Sequence, residues 1–128
     1  MLKSLAKDGF LSLHTDIEVA QFYLYTFESA DMPGAFSEAL RKEAARFFEP
    51  HPDGILEGGL VRNGIMFRHC DGSFEDLLFH EGIRRTACTE LPGLVGANRH
   101  IEANASIIAA FVKFAIRCGR PTLDRGSS

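Results

Sequence analysis

Four breaks between residues 50 and 72 constrain this chain more than any other feature: Pro50-His-Pro-Asp-Gly54, Gly58-Gly59, Asn63-Gly64 and Asp71-Gly72. The runs between them are too short for ordinary helices and suit strands. Asn-Gly and Asp-Gly are the strongest two-residue hairpin signals, because both central residues of the favoured turn need positive φ. They compete here. Either three short strands follow one another, or Asp71-Gly72 is the turn and Asn63-Gly64 marks a bulge in one long strand. Gly58 and Gly59 weaken the first run and favour the second reading. Ser73 to Glu81 then reads as a strand, with the alternative that Ser73 caps a helix and Asp76 completes a capping box.

The flanking segments supply longer elements. Ile17 to Phe27 is dense in β-branched and aromatic residues, which predicts a strand. One of its faces carries Ala20, Phe22 and Leu24, and the other Gln21, Tyr23 and Tyr25. Asp31-Met-Pro-Gly opens a helix, with Asp31 as cap and Pro33 in the first turn, and Phe36, Leu40, Ala44 and Phe47 recur at helical spacing. Residues 84–94 read as a loop or short helix, and Asn98 to Cys118 as a helix, with a last strand at Val112–Arg117 as the alternative. In residues 105–118 only Ser106, Lys113 and Arg117 are polar, so such a helix is central or covered by a partner. Residues 1–14 form an N-terminal extension, a short helix or an edge strand, and 120–128 a disordered tail. The whole of 1–128 reads as one domain.

Composition narrows the function classes. The 128 residues carry 14 Lys plus Arg against 17 Asp plus Glu, a formal net charge of −3, without the basic footprint of a nucleic-acid binder. Three widely spaced cysteines, with no CxxC, indicate neither a disulfide framework nor a redox motif. No apolar run approaches the roughly 20 residues of a membrane span, and the start lacks a signal-peptide pattern, so a cytoplasmic location is expected. The 11 Phe, with no Trp and 2 Tyr, belong in a core or an interface.

The order of elements, and the stretch Asp71-Gly72-Ser73-Phe74-Glu75-Asp76-Leu77-Leu78-Phe79-His80-Glu81, resemble the antibiotic-biosynthesis-monooxygenase group of the dimeric α+β-barrel superfamily. That group has a Pro/Gly turn after its first helix, then a D-G-x-W turn and a strand containing Asp. Here Phe74 stands at the first aromatic place and His80 where the second Trp would be. The resemblance implies an α+β, ferredoxin-like antiparallel sheet covered by helices, a homodimer whose sheets form a barrel, and cofactor-independent chemistry.

If the strands pair as read, Phe22, Leu24 and Met66 face the helices. The opposite face then presents Tyr23, Tyr25, Phe67, His69, Asp76 and His80, an apolar pocket with a few polar groups. His80, with His69 and Asp76, is the candidate base, and Tyr23, Tyr25 and Phe67 line the pocket. The plainer reading leaves these as packing residues. In a strand, Asp76 and His80 lie about 13 Å apart, whereas a helix would bring them together. No cofactor is called for. The spacing of His69-Cys70, His80, Cys88 and His100 matches no common zinc pattern, so no metal is expected. The function expected is a cofactor-independent oxygenase, or related enzyme, acting on a small apolar or aromatic compound. The alternative is a non-catalytic interaction or ligand-binding homodimer.

Overall fold

The computed structural model describes residues 8–119. The protein is α+β. A four-stranded sheet runs in the order β1-β6-β2-β5, from β1 (Phe10–Asp16), β2 (Tyr23–Glu28), β5 (Ile65–Phe67) and β6 (Arg85–Pro92). A separate hairpin joins β3 (Gly54–Leu56) to β4 (Gly59–Val61), and three helices complete the fold: α1 (Ala35–Ala45), α2 (Phe74–His80) and α3 (Ala97–Gly119). The sheet is mixed where an antiparallel one was expected. β1 runs parallel to β6 and β2 parallel to β5, and only β2 and β6 are antiparallel. Parallel pairing needs a crossover connection, and α1 with the small hairpin supplies it between β2 and β5. Among the described residues the sheet does not close into a barrel.

Alternation sorts β2 as its composition predicts. Phe22 and Leu24 face α1 and α3 in a core with Phe36, Leu40, Ala87, Leu91 and Ile107, all at most 1% exposed. Tyr23 and Tyr25 point the other way, into a second cluster with Val61, Met66 and Cys88. Met66 thus joins the tyrosines, not the helix-facing core. Phe36 anchors the helical layer, meeting Phe111 and Phe114 edge-on at 6.2 and 5.8 Å between ring centroids.

Several elements differ from the sequence reading, each for a local reason. The strand at Ile17–Phe27 is confined to Tyr23–Glu28, because residues 17–20 turn around Asp16, whose carboxylate accepts the Glu18 N–H at 2.9 Å. Asn63 and Gly64 both take positive φ (54° and 78°) and close the β4–β5 hairpin. Asn63-Gly64 is therefore a turn and not a bulge, but neither reading holds whole: the run from Ile55 to Arg62 is itself folded at Gly58-Gly59 into β3 and β4. Asp71-Gly72 leads instead into α2, where seven residues from Phe74 form a helix, so Ser73–Glu81 is not a strand. Residues 85–92, read as loop or short helix, are β6, and α3 runs on through Val112–Arg117. Phe10–Asp16 makes the N-terminal segment an edge strand among the described residues, and the expected tail at 120–128 lies outside them.

Helix α1 is capped from a distance. Its N-cap is Gly34, not Asp31, and the Glu28 carboxylate at the end of β2 accepts the Gly34 and Ser37 N–H groups at 3.0 and 2.9 Å. An anion there satisfies orphan donors and complements the helix dipole.

Candidate active site

Register assembles the site. β1 and β6 pair so that His14 lies opposite Glu90 and Ser12 opposite Cys88. Across the other edge of β6, Tyr23 stands opposite Glu90 and Tyr25 opposite Cys88. With a side-chain period of two, these residues share the sheet face turned away from α1 and α3. They gather towards the carboxyl ends of the parallel strands β1 and β6, the usual place for a ligand site in such sheets. An open cleft of about 380 Å³ lies there, its walls including His14, Asp16, Tyr23, Tyr25, Glu57 and Glu90.

The geometry is tight. His14 Nδ1 is 3.6 Å from Glu90 Oε2, and Cys88 Sγ is 3.8 Å from the same oxygen. The Tyr23 hydroxyl donates to Asp16 Oδ2 at 2.6 Å. The Gly93 N–H donates to the Asp16 carbonyl at 2.7 Å. A Cβ on Gly93 would stand 2.5 Å from Ile17 Cα and 2.9 Å from that carbonyl oxygen, so only glycine allows the ends of β1 and β6 to close this nearly.

Burial sets the electrostatics. It pushes the Glu90 carboxyl above the usual range, His14 opposing and Asp16 reinforcing the shift. A carboxyl raised in this way is better matched to moving protons near neutrality. Burial, with the charges of Glu75 and Glu90, pushes the Cys88 thiol up as well, so it stays protonated and is a poor nucleophile. Tyr23 is raised by burial and by its bond to Asp16 and remains a hydroxyl donor.

One ligand atom each from His14, Cys88 and Glu90 lie mutually within 4.8 Å. Imidazole, sulfur and carboxylate at that separation fit a zinc-class cation. The expectation of no metal came from spacing in the sequence, and strand register brings together what spacing could not.

The six residues singled out in the sequence do not form one site. Tyr23 and Tyr25 reach the cleft. Phe67 and His69 line a different hollow with Leu60 and Met32, although His69 stacks on Tyr25 at 6.1 Å between centroids. Asp76 and His80 sit on α2, where helical spacing pairs them at 2.9 Å. A wider hollow of about 500 Å³ touches Phe36, Phe79 and Phe114, but its charged walls are engaged elsewhere: Glu28 on α1, Arg85 on the Asp8 carbonyl. The sequence alone hides His14 and Glu90, because the segments that hold them suit an N-terminal extension and a loop as well as strands. The signal was period-two alternation: Ser12 and His14 against Leu11 and Leu13, and Thr86, Cys88 and Glu90 against Ala87, Thr89 and Leu91.

No family model matches the chain, and no curated protein matches it. Solved structures do. A candidate metallopeptidase of Shewanella amazonensis SB2B superposes with a TM-score of 0.86 at 37% identity, over 89% of this chain and 43% of its own. That of Shewanella baltica OS155 gives 0.86 at 34% identity, over 89% and 42%. That of Shewanella denitrificans OS217 gives 0.85 at 33% identity, over 89% and 44%. The chain thus spans less than half the length of these structures. Their assignment to peptide hydrolysis overturns the expected cofactor-independent oxygenase and its alternative, a non-catalytic binding homodimer.

Proposed function

We propose that this chain carries part of the active site of a metal-dependent hydrolase acting on peptide or related amide bonds. The observation that carries this reading is the convergence of His14 and Glu90 from paired strands into one cleft, on a fold matched by candidate metallopeptidases. His14 is the imidazole ligand. The Cys88 sulfur lies within ligand reach of the same point. A divalent cation bound there would polarise the scissile carbonyl and acidify a water molecule.

The remaining roles belong to this chain's own groups. Glu90 accepts the proton of the attacking water and returns it to the leaving amine, which its raised proton affinity suits. The Tyr23 hydroxyl, fixed by Asp16, orients substrate at the cleft wall. Cys88, a buried thiol until a cation displaces its proton, contributes no covalent step.

The test is hydrolysis of short peptides and N-acyl amino acids by the zinc-loaded protein. Glu90→Gln should lower kcat by roughly 10²-fold or more, the usual scale for a lost proton carrier, while metal binding persists. His14→Ala should lose the metal itself. Wild-type turnover in both variants, or no metal-dependent hydrolysis of any of these substrates, would overturn the reading. A homodimer, implied by the resemblance of the Asp71–Glu81 stretch, would sediment at twice the monomer mass, and the hydrolase reading does not depend on it.

A further inference from the structure

A second group of metal-type donors lies outside the cleft, on α2 and the loop before it. Arg68 anchors the base of that loop: its N–H donates to the Thr26 carbonyl at 2.8 Å, and its guanidinium reaches the Ala30 carbonyl at 3.0 Å and sits over the Phe79 ring. Positive φ at Arg68 and Gly72 (54° and 81°) folds the loop back on the helix. Cys70 is thereby brought to Asp76 and His80, which helical spacing already places on one face. One ligand atom each from Cys70, Asp76 and His80 lie mutually within 4.8 Å.

The carboxylate is unusual for a surface helix. Asp76 is 5% exposed, with Oδ2 accepting the Gly72 N–H at 2.7 Å and Oδ1 facing His80 Nδ1 at 2.9 Å. Cys70 and His80 are exposed, so an ion can reach the group from solvent. The carboxylate thus receives the Gly72 N–H, His80 and the Cys70 thiol together, which brings the three metal-type donors to one point.

We propose that Cys70, Asp76 and His80 form a second divalent-metal site, of zinc class, that clips the loop of residues 68–73 to α2. Sulfur and imidazole select a borderline cation over calcium or magnesium, which take oxygen ligands. Binding releases the Cys70 thiol proton to solvent, takes His80 as a neutral imidazole, and leaves a fourth position for water. The site shares no residue with the His14–Glu90 cleft and does not depend on its chemistry.

Cobalt titration of a Cys88→Ser variant tests this, because that substitution removes the other thiol described. A saturable thiolate-to-cobalt charge-transfer band is expected. It should vanish when Cys70→Ser is added, weaken at least tenfold in affinity with His80→Ala, and survive His14→Ala. Should Cys88→Ser not fold, the difference between wild type and Cys70→Ser serves instead. No band in either comparison, or a band that persists without Cys70, overturns the site. Loss of peptide hydrolysis in His14→Ala with the band retained separates the two readings.

Discussion

Tyr25 holds its proton against water because of where β2 places it. The side chain is 9% exposed, and burial, then the carboxylates of Glu57 and Glu90, push its hydroxyl from the ordinary 10.0 up to about 12. A group whose folded value is raised adds stability that is complete below its unfolded value and disappears as pH climbs through the folded one. Tyr25 therefore contributes fully below pH 10.0 and ceases to contribute by about 12. Urea midpoints should fall across this window, and Tyr25→Phe should make the fall shallower, with Tyr23 supplying what remains. Superimposable profiles for the two proteins would refute the assignment. At Tyr23 the prediction is energetic. Tyr23→Phe leaves Asp16 without its 2.6 Å donor, and a hydrogen bond to a charged group is worth roughly 1.5–3 kcal/mol. A loss near the lower end is expected from equilibrium unfolding, because the Asp16 end opens to the cleft.

The long-range ties of α1 decide whether the helical layer holds. Glu28→Ala removes the acceptor of two helix N–H groups and should cost about 1–2 kcal/mol, the scale of a lost N-cap. At the other end, the Glu43 carboxylate binds Ser106 Oγ of α3 at 2.5 Å and Arg46 at 2.8 Å, and these contacts hold it below the usual carboxylate range. A lowered value stabilises above the unfolded pKa of about 4.5 and is lost as pH falls below it. Glu43→Gln should therefore flatten acid unfolding on that side, read by circular dichroism against pH. Helix α1 itself was legible, since Phe36, Leu40 and Ala44 repeat on one face over eleven residues. Helix α2 was not, because seven residues give too few turns for a period to show, and its turn signal at Asp71-Gly72 serves a hairpin equally well. β6 was hidden for another reason: Thr86, Cys88 and Glu90 alternate with Ala87, Thr89 and Leu91, a weak contrast in polarity for a strand buried on both faces.

At the scale of the whole molecule, metal binding and folding are one equilibrium. The donors of the cleft come from β1 and β6, and those of the second group from the 68–73 loop and α2, so neither set exists in the unfolded chain. No spacing rule could find the cleft pair, because His14 and Glu90 meet only through a parallel pairing that joins the first described strand to the last. An ion that binds only the folded state raises stability by RT ln(1 + [L]/Kd), about 2.7 kcal/mol at a hundredfold excess over Kd. Zinc should therefore raise the midpoint of thermal unfolding, and a chelator should reverse the gain. His14→Ala should remove the part due to the cleft and Cys70→Ser the part due to α2. The two parts should add, since sites without shared ligands rarely couple by more than about 0.5 kcal/mol. In the double variant the zinc-dependent shift should vanish. A full shift there would place the ion on residues other than these, and both sites would fall together.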